Sequence, residues 1–154
     1  MKKLICAVAA LCIALLLVVS LPKGRGIYSF DVSDIQMIEM FTGGVPAGAV
    51  RKTVTSAEDI KRLVKVINCI TVKAEDTESE PVAGGIGTYF QINMTNGAIK
   101  ILHIGGNDDL LFTSDGTYYR IKSLDCQKLW NSLNYQSADA GEEGLPKISS
   151  YNLF

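Results

Sequence analysis

Two reverse-turn dipeptides within residues 88–121 constrain the fold of this chain more than any other feature. Asn96-Gly97 and Asp115-Gly116 each lie between runs in which apolar and polar residues alternate. Such dipeptides favour two-residue hairpin loops, because both central positions of a type I′ turn need a positive φ. The sequence therefore predicts two successive β-hairpins.

The two-residue loops also predict the register of both hairpins. Side chains alternate between the faces of a sheet, so the pairing decides which of them point to the core. The expected register places the large apolar side chains of the first hairpin on one face. The predicted pairs are Met94 with Ile99, Ile92 with Ile101, Phe90 with His103, Phe112 with Tyr119, and Leu110 with Ile121.

The opposite face of the first hairpin is a candidate partner surface. A tyrosine and two aliphatic side chains among polar ones suit a recognition patch, although an ordinary exposed sheet face has the same mixture. The acidic connection 73–87 and an unpaired sheet edge, which accepts peptides by strand addition, are the other candidates. The patch would consist of Tyr89, Gln91, Asn93, Lys100, Leu102 and Ile104.

A hydrophobic segment precedes the domain. Lys2 and Lys3 are followed by an uncharged run over residues 4–21, which as a helix would be about 27 Å long, close to the roughly 30 Å of a hydrocarbon core. The run exceeds the usual core of a signal peptide, so residues 1–25 are predicted to be a signal anchor, with a cleaved signal peptide as the alternative. The remainder is expected outside a cell membrane, held by a single span with the N-terminus inside, or otherwise secreted.

The exported part of the chain is acidic. All sixteen acidic residues follow Arg25, but only eleven of the fifteen basic residues do, which leaves a net charge of −5. Surfaces for nucleic acid or anionic lipid need clustered lysine and arginine, and the sequence contains no basic stripe. We therefore expect no nucleic-acid partner.

Two amphipathic helices flank the hairpins. Residues 55–58 have capping-box spacing with Thr55 as the cap, and Ser123 is the expected cap of the second helix. Both helices carry one apolar stripe, which predicts that they cover a sheet. The stripes are Ile60, Leu63, Val64 and Ile67 in the first helix, and Cys126, Leu129, Trp130 and Leu133 in the second.

These elements predict an α+β domain over residues 26–134. Strands are expected at 33–41 and 50–54 in addition to the two hairpins, which gives an antiparallel sheet of about six strands with both helices on one face. Residues 135–154 are rich in serine, glycine and acidic residues and are predicted to be a loosely ordered tail.

The helix entry Thr53–Ile60 and the segment Asp115–Ile121 carry a resemblance. With the order of elements, they resemble a small uncharacterised extracytoplasmic domain of Gram-positive lipoproteins and membrane proteins. Similar segments occur outside antirepressor-type membrane peptidases. The resemblance covers residues 32–133 and implies an α+β fold without catalytic residues.

Few residues are suited to catalysis. His103 is the only histidine, and we interpret it as a half-buried histidine with one hydrogen-bond partner rather than a general base. Cys126 is expected to be an inert buried thiol, and Cys69 has no base beside it; a disulfide between them is the less favoured alternative. The cluster Asn107-Asp108-Asp109 suits a solvated turn better than a calcium site.

The sequence therefore predicts a tethered, non-enzymatic domain without metal or cofactor that binds a protein or peptide at the cell envelope. One alternative is a small-ligand sensor with a pocket between sheet and helices. Another is a metal-dependent enzyme that uses His103 with carboxylates from residues 105–109.

Overall fold

The computed structural model describes residues 25–43, 48–75, 87–113, 116–141 and 146. Within these ranges, no helix combines the length and apolar character needed to cross a membrane. The predicted hydrophobic segment 4–21 and the tail residues 147–154 lie outside the described residues.

The described residues form one antiparallel sheet and two helices, which confirms the predicted α+β class. The sheet has nine hydrogen-bonded strands instead of about six, in the order β1-β4-β8-β7-β6-β5-β2-β3-β9. The strands are β1 (Arg25–Gly26), β2 (Ile35–Gly43), β3 (Val50–Val54), β4 (Thr71–Glu75), β5 (Gly87–Met94), β6 (Ile99–Gly105), β7 (Leu110–Thr113), β8 (Tyr118–Ile121) and β9 (Ala138–Asp139); the helices are α1 (Ala57–Asn68) and α2 (Cys126–Ser132), and a 3-10 helix spans Val32–Asp34.

The three additional strands lie where no strand was predicted: after the hydrophobic segment, at the start of the connection 73–87, and in the tail. β1 and β9 have two residues each and pair with β4 and β3. Strands this short give no periodic signal in a sequence, so their pairing depends on the neighbour that they meet. β4 occupies the beginning of the predicted connection 73–87, of which residues 76–86 are not described.

Both helices pack on the same face of the sheet, which we call the helix face. Leu63 and Ile67 of α1 are fully buried there against strand residues such as Phe90 and Leu102. Trp130 and Leu133 complete the same layer from the second helix. Each fully buried side chain of this size contributes roughly 1.5–3 kcal/mol relative to exposure, so this layer is the main stabilising contact.

The helix caps differ from the prediction by one or two residues. Ser56, not Thr55, caps α1 and accepts from the amide of Asp59 at 3.5 Å. Asp125, not Ser123, caps α2 and accepts from the amide of Lys128 at 2.8 Å. Either neighbour suits a cap chemically, so only the backbone geometry decides which residue serves.

The predicted register of the first hairpin is wrong by one residue. β5 and β6 pair Phe90 with Leu102 and Tyr89 with His103. The loop has three residues, because the amide of Gly97 donates to Met94 O at 3.0 Å and the amide of Met94 donates to Ala98 O at 2.8 Å. Gly97 has φ +84°, and Asp108 is the only non-glycine residue with positive φ in the described ranges. This is a type I turn followed by a glycine bulge, in which Asn96 needs no positive φ.

The second hairpin deviates in the same way. Phe112 pairs with Tyr118, not with Tyr119, and Leu110 pairs with Arg120 instead of Ile121. The amide of Gly116 donates to Thr113 O at 3.0 Å, and Gly116 has φ +88°. A one-residue slip moves every side chain of a strand to the other face. Compared with the prediction, the two slips therefore invert β6 relative to β5 and β8 relative to β7.

The end of α2 is held by a buried lysine. Lys52 on β3 is 8% exposed, and its Nζ donates to Trp130 O at 3.0 Å and to Leu133 O at 2.8 Å. The same ammonium lies 4.7 Å from the centre of the Trp130 ring. A cation at a helix C-terminus satisfies carbonyls that the helix leaves unpaired and complements the helix dipole.

The first part of the predicted tail packs on the domain. Tyr135 Oη donates to Asp59 Oδ2 at 3.0 Å and accepts from the amide of Ser56 at 3.2 Å, which ties it to the start of α1. β9 follows and pairs with β3 at Ala138 and Asp139. Residues 135–141 therefore belong to the folded domain and are not loosely ordered.

Candidate functional site

The six residues of the predicted partner patch do not share a face. Leu102 and Ile104 are fully buried in the core beneath the helices, and Lys100 belongs to the same side of β6. Tyr89, Gln91 and Asn93 lie on the opposite side of the sheet. The reason is the one-residue slip at Gly97, which leaves β5 as predicted and inverts β6.

The face opposite the helices, which we call the second face, carries a small aromatic cluster. Tyr89 and His103 are directly paired across β5 and β6, and their rings stack at 4.1 Å with an angle of 4°. Phe112 and Tyr118 stack at 4.3 Å on the neighbouring strands. Phe41 completes this cluster, and Phe41, Tyr89 and Phe112 are all buried.

His103 fits this face because Gly87 has no side chain. A Cβ atom at Gly87 would collide with His103 Nε2, whereas one at Gly105 would lie at 3.5 Å, an ordinary contact. Burial lowers the pKa of His103 to about 4, so the imidazole is neutral at physiological pH. The expected hydrogen-bond partner is not found at Nε2, which is shielded from solvent and unpaired.

A polar group lies beside the aromatic cluster on the same face. Glu39 is 8% exposed, and its Oε1 is paired with Nη1 of Arg51 at 3.1 Å. Its Oε2 accepts from Gln91 Nε2 at 2.8 Å, and Gln91 Nε2 also lies 3.4 Å from Asn93 Oδ1. A buried carboxylate held by a guanidinium and an amide fixes the positions of all three side chains.

Two donors of this polar group have no partner. Two nitrogen atoms are shielded from solvent without a hydrogen-bond partner, Nε of Arg51 and Nδ2 of Asn93. The same is true of Nε2 of His103 in the aromatic cluster. Buried polar atoms are nearly always paired in native proteins, and each exception needs an explanation. Three exceptions therefore lie on the second face, on strands β3, β5 and β6.

Sequence reasoning missed Glu39 and Arg51 as members of a site. Neither residue was singled out from the sequence, because only the pairing of Glu39 with Gln91 in the ladder brings them together beside Asn93. The available signal was a charged residue two positions before Phe41 in an otherwise apolar strand. Such a residue indicates a polar position on an otherwise buried face.

The two described cysteines are free thiols. Cys126 is buried, and burial together with the nearby Asp108 carboxylate raises the pKa of its thiol to about 12. The thiolate is therefore suppressed, which makes Cys126 unreactive. Cys69 is exposed at the end of α1.

The Asn107–Asp109 cluster has structural roles. Oδ2 of Asp108 lies 3.3 Å from the amide of Cys126, and Asp109 is paired with Arg120 at 3.6 Å. No group of three or more potential metal-ligating side chains occurs in the described part of the chain.

A cleft of about 320 Å³ lies on the helix face, between the sheet and the segment that follows β1. Its walls are mainly aromatic and aliphatic, with Lys100 exposed at the rim. Its lining comprises Ile27, Tyr28, Phe30, Lys100, Ile101, Leu102, Thr113 and Tyr119.

Comparisons with models of known protein families, with curated proteins and with solved structures found no match to this chain.

Proposed function

We propose that this protein is an exported, membrane-tethered domain that binds a protein or peptide partner at the cell envelope and catalyses no reaction. The tether is the hydrophobic segment 4–21, and the binding surface is the polar part of the second face. The surface consists of Glu39, Arg51, Gln91, Asn93, Ile99 and Ile101. This set replaces the predicted patch, whose residues lie on both faces of the sheet.

The unpaired donors on the second face carry this proposal. Arg51 Nε and Asn93 Nδ2 have no acceptor, and both lie around the fixed Glu39–Gln91 pair. Because both atoms are shielded from solvent, a partner would reach them only once the Arg51 or Asn93 side chain turns outward, and its carbonyl or carboxylate oxygens would then satisfy them. A site built to hydrogen-bond its ligand gains specificity from such groups. Ile99 beside them is 54% exposed and gives the surface an apolar anchor.

The states of the candidate catalytic groups favour binding over chemistry. The pKa of His103 is too low, and that of Cys126 too high, for proton transfer or nucleophilic attack near neutral pH. The His103 ring is stacked on Tyr89 rather than held by a carboxylate. We therefore infer a recognition role for this face.

Site-specific photo-crosslinking in intact cells tests the binding surface. A photo-crosslinking amino acid at Ile99 of the full chain is expected to give one discrete adduct with an envelope polypeptide. The same probe at Lys61, exposed on α1, should give none. Asn93→Ala is expected to reduce the adduct yield at Ile99, whereas Asn131→Ala on the exposed side of α2 should not. Equal yields from both asparagine variants would overturn the assignment of this surface.

A small-ligand sensor is the second candidate, and the cleft beside Tyr28 and Tyr119 favours it. Its volume of about 320 Å³ is at the lower end of the range of small-molecule sites, and its lining is mostly apolar with a cation at the rim. This function requires no polypeptide partner. The absence of any adduct at Ile99 would therefore favour the sensor over the binding domain.

A further inference from the structure

Five ring side chains form one continuous row across the second face, which we call the aromatic row. They lie on β2, β5, β6, β7 and β8, which are neighbours in the sheet, and each ring is directly opposite the next. The aromatic row crosses four strand spacings and is therefore about 19 Å long. In order, it consists of Phe41, Tyr89, His103, Phe112 and Tyr118.

The aromatic row is largely buried, although both helices pack on the other face of the sheet. Phe41 is 1% exposed and Phe112 is 2% exposed. Rings that stand side by side on a sheet cover one another's flanks, but their outer edges are buried only by a second layer. Among the described residues, the other apolar side chains packed on this cluster are Ile101 and Tyr118 of the sheet itself and Ala140 after β9. One alanine is too small to cover a row that crosses five strands.

Ala140 shows the direction that the chain takes after β9. Its amide donates to Ala49 O at 3.0 Å, and its side chain packs against the buried aromatic residues. Gly141 is exposed, whereas Pro146 is buried again. The chain thus reaches the second face at Ala140 and has a buried residue immediately before residues 147–154.

Residues 147–154 have the length and the composition of a cover. Eight residues extend over at most about 28 Å, which exceeds the length of the aromatic row. Lys147 is the only charged residue among them. An aromatic ring that packs on other rings gains more than the area that it buries. The apolar residues of the segment are Ile148, Tyr151, Leu153 and Phe154.

We propose that segment 147–154 lies across the aromatic row and forms the second layer over it, with Tyr151 and Phe154 packed on the rings. The segment would close the aromatic end of the second face, and the end with Asn93 and Ile99 would stay open to a partner. A partner could contact the rings only after it displaces the segment. The inference rests on the described domain and requires neither the proposed tether nor the proposed partner.

The titration of His103 tests this cover, because the ring lies in the middle of the aromatic row and is the only histidine of the chain. The full chain with isotope-labelled histidine, in detergent, gives one imidazole NMR signal, which should titrate with a pKa of about 4. Tyr151→Ser, Leu153→Ser and Phe154→Ser together are expected to uncover the ring and to raise this pKa by about 1 or more, because the charged form regains water. Ile99→Ser, at the exposed end of the same face, is the control and should leave the pKa unchanged.

Photo-crosslinking within the chain identifies the occupant of the aromatic row. A photo-crosslinking amino acid at Phe154 of the purified full chain is expected to join peptides that contain Tyr89 or Phe112, as identified by proteolysis and mass spectrometry. A crosslink to α1 or α2, or between two copies of the chain, would overturn the proposal.

The fluorescence of Trp130, which lies on the helix face, shows whether the triple serine variant is folded. If the folded variant keeps the pKa of His103, another segment such as 76–86 covers the aromatic row and the proposal is wrong. If the variant does not fold, the crosslink from Phe154 decides. Neither measurement needs an envelope partner, so a missing adduct at Ile99 would bear on the proposed function alone.

Discussion

At the scale of single residues, the absence of a side chain at Gly87 leaves the space that the His103 ring occupies. Here the ring lies flat on Tyr89, and Nε2 faces the backbone at Gly87 without an acceptor. The imidazole is therefore kept neutral by burial, and its protonation opposes folding.

Because His103 is buried in its neutral form, we expect acid to lower the stability of the fold through the protonation of this residue. The folded pKa of about 4 lies below the ordinary value of 6.5, so the unfolded chain binds the proton more tightly. Stability is then complete above pH 6.5 and falls as the pH drops towards 4, with a loss of roughly 3 kcal/mol by pH 4.

Urea unfolding of the full chain in detergent at pH 7 and pH 4 measures this loss. His103→Phe keeps an aromatic ring on Tyr89 but cannot titrate, so its free energy of unfolding should fall by about 3 kcal/mol less than that of the wild type between the two pH values. An identical pH dependence of both proteins would show that His103 is not buried in its neutral form.

At the scale of elements, turn chemistry decided the registers. Asn-Gly and Asp-Gly are compatible with a two-residue type I′ loop and with a type I turn followed by a glycine bulge. The two options differ by one residue of register, and both put a glycine at a position with positive φ. The pairing of Tyr89 with His103 and of Phe90 with Leu102 selects the bulge, because it buries Leu102 and Ile104 beneath the helices.

Lys52 joins β3 to the end of α2, and the contribution of this contact to the free energy of unfolding can be measured. Lys52→Met keeps the aliphatic stem but removes both hydrogen bonds to the carbonyls at the end of α2. We expect the free energy of unfolding to fall by roughly 2–3 kcal/mol, because charged donors to buried carbonyls are the stronger kind. Thermal or urea unfolding measures the change.

The exposed Lys61 on α1 offers the matched control for this substitution. Lys61→Met removes the same charge without a buried contact and should change stability by less than about 0.5 kcal/mol. Equal effects at both positions would indicate that net charge, and not the contact with α2, determines the result.

At the scale of the whole molecule, the domain is larger than the hydrophobic patterns indicated. β1 and β9 close the two edges of the sheet with two residues each, and residues 135–141 contact α1 and β3. Short edge strands limit pairing with other chains, which long unpaired edges promote.

Ending the chain at Asn134 tests this boundary. The truncation removes the two hydrogen bonds of Tyr135 at the start of α1 and the pairing of β9 with β3. We expect a loss of about 2 kcal/mol or more in the free energy of unfolding, and a smaller loss of about 1 kcal/mol for Tyr135→Phe. If the truncated chain were as stable as the full chain, residues 135–141 would not stabilise the domain and the predicted loosely ordered tail would begin at residue 135.

The sequence by itself determined the elements whose signal is local. The α1 stripe from Ile60 to Ile67, strand Val50–Val54 and the positions of both hairpins follow from the spacing of apolar residues and from turn residues. Those signals are strong because each depends only on residues that are close to one another in the sequence.

Only the tertiary structure decided which side chains share a face. The slip at Gly97 and Gly116 moved Leu102 and Ile104 into the core and brought His103 onto Tyr89. The juxtaposition of Glu39, Arg51 and Asn93 likewise depends on pairing between distant strands. Two registers with nearly the same local energy are separated by what each buries against the helices, and that energy exists only once the layers are packed.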